Sequence, residues 1–115
     1  MGRILVVEDE FLLAAYIGGL IEDEGFDVVG PTGMLDEAVK LAQDEELDGA
    51  LLDVNIVGGP IDDVAEILAN RGVPFVFVTG YSRDHLPVKF RHWTMIGKPF
   101  DDRTLIEQAK RFATR

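Results

Sequence analysis

Short apolar runs alternate along this chain with stretches in which every third or fourth residue is apolar. Ile4-Leu5-Val6-Val7, Ala50-Leu51-Leu52 and Phe75-Val76-Phe77-Val78 are continuous, as expected of strands covered on both faces. Val28-Val29 and Trp93-Thr94-Met95-Ile96 are weaker runs and predict edge strands. Between the runs, Leu13, Ile17, Leu20 and Ile21 form one stripe, and Leu35, Ala38, Val39 and Ala42 a second. Ile61, Val64, Ala65 and Leu68 form a third, and Leu105, Ala109 and Phe112 the last. Such spacing places each set on one apolar face of a helix.

Local signals set the boundaries. Gly25 and Gly72 follow helical stretches, where a left-handed residue ends a helix. Gly59-Pro60 predicts a proline in a first helical turn, and Asp101 a cap for the last helix. Residues 82–92 must hold a fourth helix, yet Pro87 lies inside them and no apolar period is visible. A short or mobile helix with Pro87 near its start is therefore expected. The resulting order, β-α-β-α-β-α-β-(short α)-β-α, calls for an α/β fold: a five-stranded parallel sheet with helices on both faces. Five strands favour the flavodoxin-like order 2-1-3-4-5.

The chain has 115 residues, enough for one domain spanning 1–115. No apolar run approaches the roughly 20 residues that span a bilayer, and Glu8 arrives too early for a signal peptide. Absence of cysteine excludes disulfides, thiolate metal sites and a cysteine nucleophile. A cytoplasmic protein without a membrane role is expected. Net charge is −10, with residues 1–82 at −14 and residues 83–115 at +4. The acidic total argues against nucleic-acid binding. The basic last third, with Arg83, Lys89, Arg91, Arg103, Lys110 and Arg111, is either solvated helix surface or a partner face.

A parallel sheet brings the carboxyl ends of all its strands to one edge. Here those ends carry Glu8-Asp9, Asp53, Thr79 and Gly97-Lys98-Pro99. Two carboxylates about 5 Å apart repel by roughly 3 kcal/mol at an effective dielectric near 20, so a compensating cation is expected. Mg²⁺ prefers oxygen ligands and takes one or two carboxylates together with a phosphate. Lys98 offers a compact charge for a phosphate oxygen and Thr79 a hydroxyl. Asp53, on the central strand, is the expected nucleophile for a phosphoryl group.

Ile4-Leu5-Val6-Val7-Glu8-Asp9-Glu10, Leu51-Leu52-Asp53-Val54-Asn55, Val78-Thr79-Gly80 and Gly97-Lys98-Pro99-Phe100 resemble the motifs of response-regulator receiver domains, over essentially the whole chain. The resemblance implies a stand-alone, CheY-like domain of two-component phosphorelay signalling. It implies phosphorylation of Asp53 by a phosphohistidine of a sensor histidine kinase or phosphotransfer protein. It implies Mg²⁺ held by Asp9, Asp53 and the Asn55 backbone carbonyl, with Glu8 acting through water. Lys98 and Thr79 would grip the transferred group, with Lys98-Pro99 a cis peptide. Such a domain is a phosphoacceptor rather than an enzyme, although it assists its own phosphorylation and dephosphorylation. The 83–115 face would meet a downstream protein, or the chain would shuttle phosphate.

Phe77-Val78-Thr79-Gly80-Tyr81 is similar to the "FATGUY" subgroup, but Val78 replaces its Ala and Tyr81 directly follows Gly80. Receivers commonly carry Tyr or Phe three residues before the strand-5 lysine; here that residue is Met95. Thr79, Tyr81 and Met95 are therefore the expected switch residues, and Tyr81 either takes over part of the missing aromatic's role or shields the mouth of the pocket. A haloacid-dehalogenase phosphohydrolase needs a second acid two residues after its nucleophile, where this chain has Asn55. An FMN module needs a Ser/Thr/Gly phosphate loop after strand 1, where this chain has Glu8-Asp9-Glu10.

Overall fold

The computed structural model describes residues 2–113; Met1, Thr114 and Arg115, which belong to the expected domain and its basic face, lie outside the described residues. The continuous apolar runs become β1 (Arg3–Val7), β3 (Gly49–Leu52) and β4 (Phe75–Thr79). The weaker runs become β2 (Asp27–Thr32) and β5 (Met95–Gly97). They form one parallel sheet in the order β2-β1-β3-β4-β5, the flavodoxin-like arrangement. Four α-helices cover it among the described residues: α1 (Phe11–Asp23), α2 (Leu35–Asp44), α3 (Asp62–Asn70) and α4 (Asp102–Ala113). None is long and apolar enough to cross a membrane.

Alternate residues of each central strand feed different cores. Leu5, Val7, Leu52, Phe75 and Phe77 pack with Ala38 and Ala42 of α2 and with Val64 and Leu68 of α3. Ile4, Val6, Leu51, Val76 and Val78 pack with Ile17 and Ile21 of α1 and with Leu105, Ala109 and Phe112 of α4. Burial on both faces is why those strands contain no polar alternation. At Gly49 the two layers touch. A Cβ there would lie 2.2 Å from the Phe112 ring, so only glycine lets α4 close over β3.

Gly25 and Gly72 hold positive φ just past α1 and α3, and Asp101 Oδ1 accepts the Arg103 N–H at the start of α4. Both Gly30-Pro31 and Lys98-Pro99 are cis. The expected proline in a first helical turn is corrected. Gly59–Pro60 pairs antiparallel with Asn55–Ile56, and α3 starts only at Asp62. The two glycines before Pro60 both have positive φ, which turns the chain back on itself before a helix can begin.

The fourth helix is reduced further than its sequence suggests, to two 3₁₀ turns, Arg83–His85 and Val88–Phe90. Pro87 immediately precedes the second. It has no N–H to give the Arg83 carbonyl, and it holds Leu86 in extended backbone at ψ 154°. Side chains do the anchoring instead. Phe90 and Trp93 lie against Phe75 with ring centroids 5.4 and 4.9 Å away, and Trp93 Nε1 donates to the Phe75 carbonyl at 2.9 Å. Arg83 donates to the carbonyls of Arg91 and Trp93. With so few backbone bonds, amides of residues 83–92 should exchange at least about a hundredfold faster than those of β4. Native-state hydrogen exchange measures this, and equal protection would contradict it.

Candidate functional site

The parallel register builds the site. Val7 is paired with Leu52, so Glu8 and Asp53 leave β1 and β3 side by side, and the Asp53 N–H donates to the Val7 carbonyl at 2.9 Å. Asp9 follows Glu8, and Gly33, the residue just past β2, lies against it from the other side. A Cβ on Gly33 would come within 2.4 Å of the Asp9 Cα, so glycine alone permits that approach. One carboxylate oxygen from each of Glu8, Asp9 and Asp53 lies within 4.8 Å of the others.

Lys98 enters from β5, whose edge is tied to β4 by its N–H on the Thr79 carbonyl. Its ammonium donates to Glu8 Oε1 at 2.7 Å and to Asp53 Oδ2 at 3.3 Å. The remaining oxygens are also engaged. Glu8 Oε2 accepts the Glu10 N–H, and Asp53 Oδ1 accepts the Asn55 N–H. Glu8 and Asp53 are 3% and 4% exposed, whereas Asp9 faces solvent. A cavity of about 330 Å³ opens here, lined by Glu8, Asp9, Asp53, Asn55, Tyr81 and Lys98 among others.

Burial raises the Glu8 carboxyl from 4.5 to about 7; the Asp53 charge pushes the same way, and Lys98 and the Glu10 N–H oppose it. Burial pulls the Lys98 ammonium down, but its bond to Glu8 and the charges of Asp53 and Glu8 outweigh this and leave it raised. Lys98 thus stays charged between its two acids. One ammonium still faces three carboxylates. The all-oxygen donor set, with one carboxylate open to water, fits a hard divalent ion that retains part of its hydration.

The expected switch residues occupy three different settings. Thr79 is fully buried at the end of β4, and its Oγ1 accepts the Tyr81 N–H at 3.0 Å. Tyr81 stands at the rim of the cavity, half exposed. Met95 lies partly buried against the core under α2 and α3, outside the cavity lining. Within the basic face, Lys89 pairs with Glu66 and Lys110 with Glu24, so these charges are already matched by acids of the fold. Sequence reasoning missed two features of the site. One is the Glu8–Lys98 ion pair, whose members stand 90 residues apart. The other is the ring of His85, which stacks on Tyr81 four residues earlier in the loop.

The sheet order, the acidic cavity at the carboxyl ends and the lysine reaching over it define a class. Residues 4–110 match the response regulator receiver domain, and the chain belongs to that family. It is 32% identical over 108 residues to the transcriptional regulatory protein PdtaR of Mycobacterium tuberculosis, covering 90% of this chain and 53% of PdtaR. The solution structure of SdrG from Sphingomonas melonis Fr1 is similar at TM-score 0.83 and 34% identity, over 98% of this chain and 97% of that one. The receiver domain of the sensor histidine kinase PA1611 from Pseudomonas aeruginosa PAO1, with a magnesium ion in its active-site cleft, has the same fold. Its TM-score is 0.82 at 19% identity, over 99% of this chain and 98% of that one. The chain spans about half the length, or less, of the curated relatives it matches.

The raised Glu8 carboxyl sets a pH dependence. Between 4.5 and about 7 the folded protein holds a proton that the unfolded chain has lost. The contribution of Glu8 to stability should therefore fall as pH rises through that window and level off above it. In divalent-free buffer, Glu8→Gln should flatten this fall, read as the difference in Tm from wild type between pH about 5 and about 7.5. A difference that does not change across the window would contradict the assignment.

Proposed function

We propose that the domain accepts one phosphoryl group on Asp53 from the phosphohistidine of a sensor histidine kinase or phosphotransfer protein. The observation that carries this is the setting of Asp53: buried at the end of the central strand, with Lys98 on one oxygen and two further acids at the same cavity. In the transfer the phosphorus–nitrogen bond to the donor imidazole breaks while an Asp53 carboxylate oxygen bonds to phosphorus. Charge in such a loose transition state gathers on the equatorial phosphoryl oxygens. Lys98 is poised beside Asp53 to meet that charge, and it is fixed in place by Glu8. Thr79 supplies a hydroxyl from the neighbouring strand end.

Asp9, Asp53 and the Asn55 backbone carbonyl would hold Mg²⁺, with Glu8 acting through water, and the ion would neutralise charge on both the carboxylates and the phosphoryl oxygens. The magnesium in the PA1611 receiver supports that ligand class. The domain turns over no separate substrate, although it assists its own phosphorylation and dephosphorylation. Thr79, Tyr81 and Met95 form the switch, and the signal leaves by the 83–115 face to a protein partner or by passing the phosphoryl group on. The FATGUY placement rests on Phe77, Thr79 and Gly80 alone. We read residues 1–115 as one cytoplasmic receiver domain that contacts neither nucleic acid nor membrane.

Incubation with acetyl phosphate and Mg²⁺ followed by intact-mass measurement tests the reading. Wild type should gain one PO₃ unit, while Asp53→Asn should gain none, and wild type in EDTA should gain little. Equal labelling of Asp53→Asn would assign the phosphoryl group elsewhere.

A further inference from the structure

Tyr81 sits at the cavity rim with its ring stacked on His85, centroids 4.8 Å apart and planes inclined by 28°. Both residues are exposed, so burial does not hold them together. Each is anchored separately. The Tyr81 N–H is bonded to Thr79 Oγ1 at the buried end of β4. His85 closes the first 3₁₀ turn: its N–H donates to the Ser82 carbonyl at 3.0 Å, and its Nδ1 lies 3.4 Å from Ser82 Oγ. Leu86, the next residue, is buried and pins the turn. An unsupported tyrosine on such a loop would exchange between rotamers, and a fixed aromatic partner restricts that freedom.

We propose that His85 is a positioning residue: it holds the Tyr81 ring at the cavity mouth and so slows the loss of a phosphoryl group from Asp53. This rests on the phosphoacceptor reading. In that loss a water oxygen bonds to phosphorus as the bond from phosphorus to the Asp53 carboxylate oxygen breaks. The products are inorganic phosphate, the regenerated carboxylate and a proton released to solvent. His85 does not line the cavity and takes no part in bond making. Its effect passes through Tyr81, whose ring, held at the rim, narrows the approach of water.

The test uses the whole chain phosphorylated with acetyl phosphate and Mg²⁺. Donor is then removed, and the remaining phosphorylated fraction is followed by intact mass. His85→Ala should lose the group roughly two- to tenfold faster, the scale of one aromatic pair. His85→Phe, which keeps a flat ring, should stay within about twofold of wild type. The double variant Tyr81→Leu with His85→Ala should be no faster than Tyr81→Leu alone, because either change already removes the stack. In the unphosphorylated protein, the His85 ring protons should show an NMR ring-current shift that Tyr81→Leu abolishes. A His85→Ala lifetime equal to wild type, or effects that multiply in the double variant, would overturn the positioning role and leave the phosphoacceptor reading intact. A wild type that never takes the group would overturn both.

Discussion

The site depends on one ammonium shared between two buried carboxylates. Glu8 and Asp53 reach the same sheet edge because β1 and β3 are parallel neighbours in register. Lys98 bridges them from β5, two strands beyond β3. Without that bridge, two nearly water-free acids would face each other with only backbone N–H groups to satisfy them. With it, the pocket is assembled but still short of positive charge, since Asp9 adds a third carboxylate at the open side. A pocket left short of positive charge favours a cation and, once the cation is there, an anionic group beside it.

Much of this was legible in the chain because the relevant signals are local. Short continuous runs rich in β-branched and aromatic residues, such as Phe75-Val76-Phe77-Val78, read as strands covered twice, and that implies helices on both faces and a parallel sheet. Topology then gathers Glu8, Asp9, Asp53 and Lys98 at one edge without any knowledge of their contacts. Illegible were the interactions that depend on distance through space. The Glu8–Lys98 pair has no sequence period to reveal it, and neither has the shift of Glu8 toward neutral pH that burial imposes. Pro60 was misplaced because proline suits a helix start and a turn equally well, and the positive φ of Gly58 and Gly59 decided between them.

The segment after β4 shows the same division. Pro87 announced a weak helix, and the extended backbone at Leu86 splits it into two 3₁₀ turns. The Phe75, Phe90 and Trp93 cluster that secures the two 3₁₀ turns joins residues from separate runs, so no local pattern foretold it. This is the stretch that carries His85 to the ring of Tyr81. A loop with few backbone hydrogen bonds, pinned at Leu86 and Phe90, thus places aromatic surface beside the cavity.

The acidic hollow beside Asp53 has the donor set of a site for one hard divalent ion. Titration of the protein with Mg²⁺, followed by amide NMR, tests it most directly. A dedicated divalent site gives saturable shifts concentrated at residues 8–10, 53–55 and 98, and Asp9→Asn loses them. Shifts spread evenly over the acidic surface without saturation, or the same binding curve in Asp9→Asn, would contradict it.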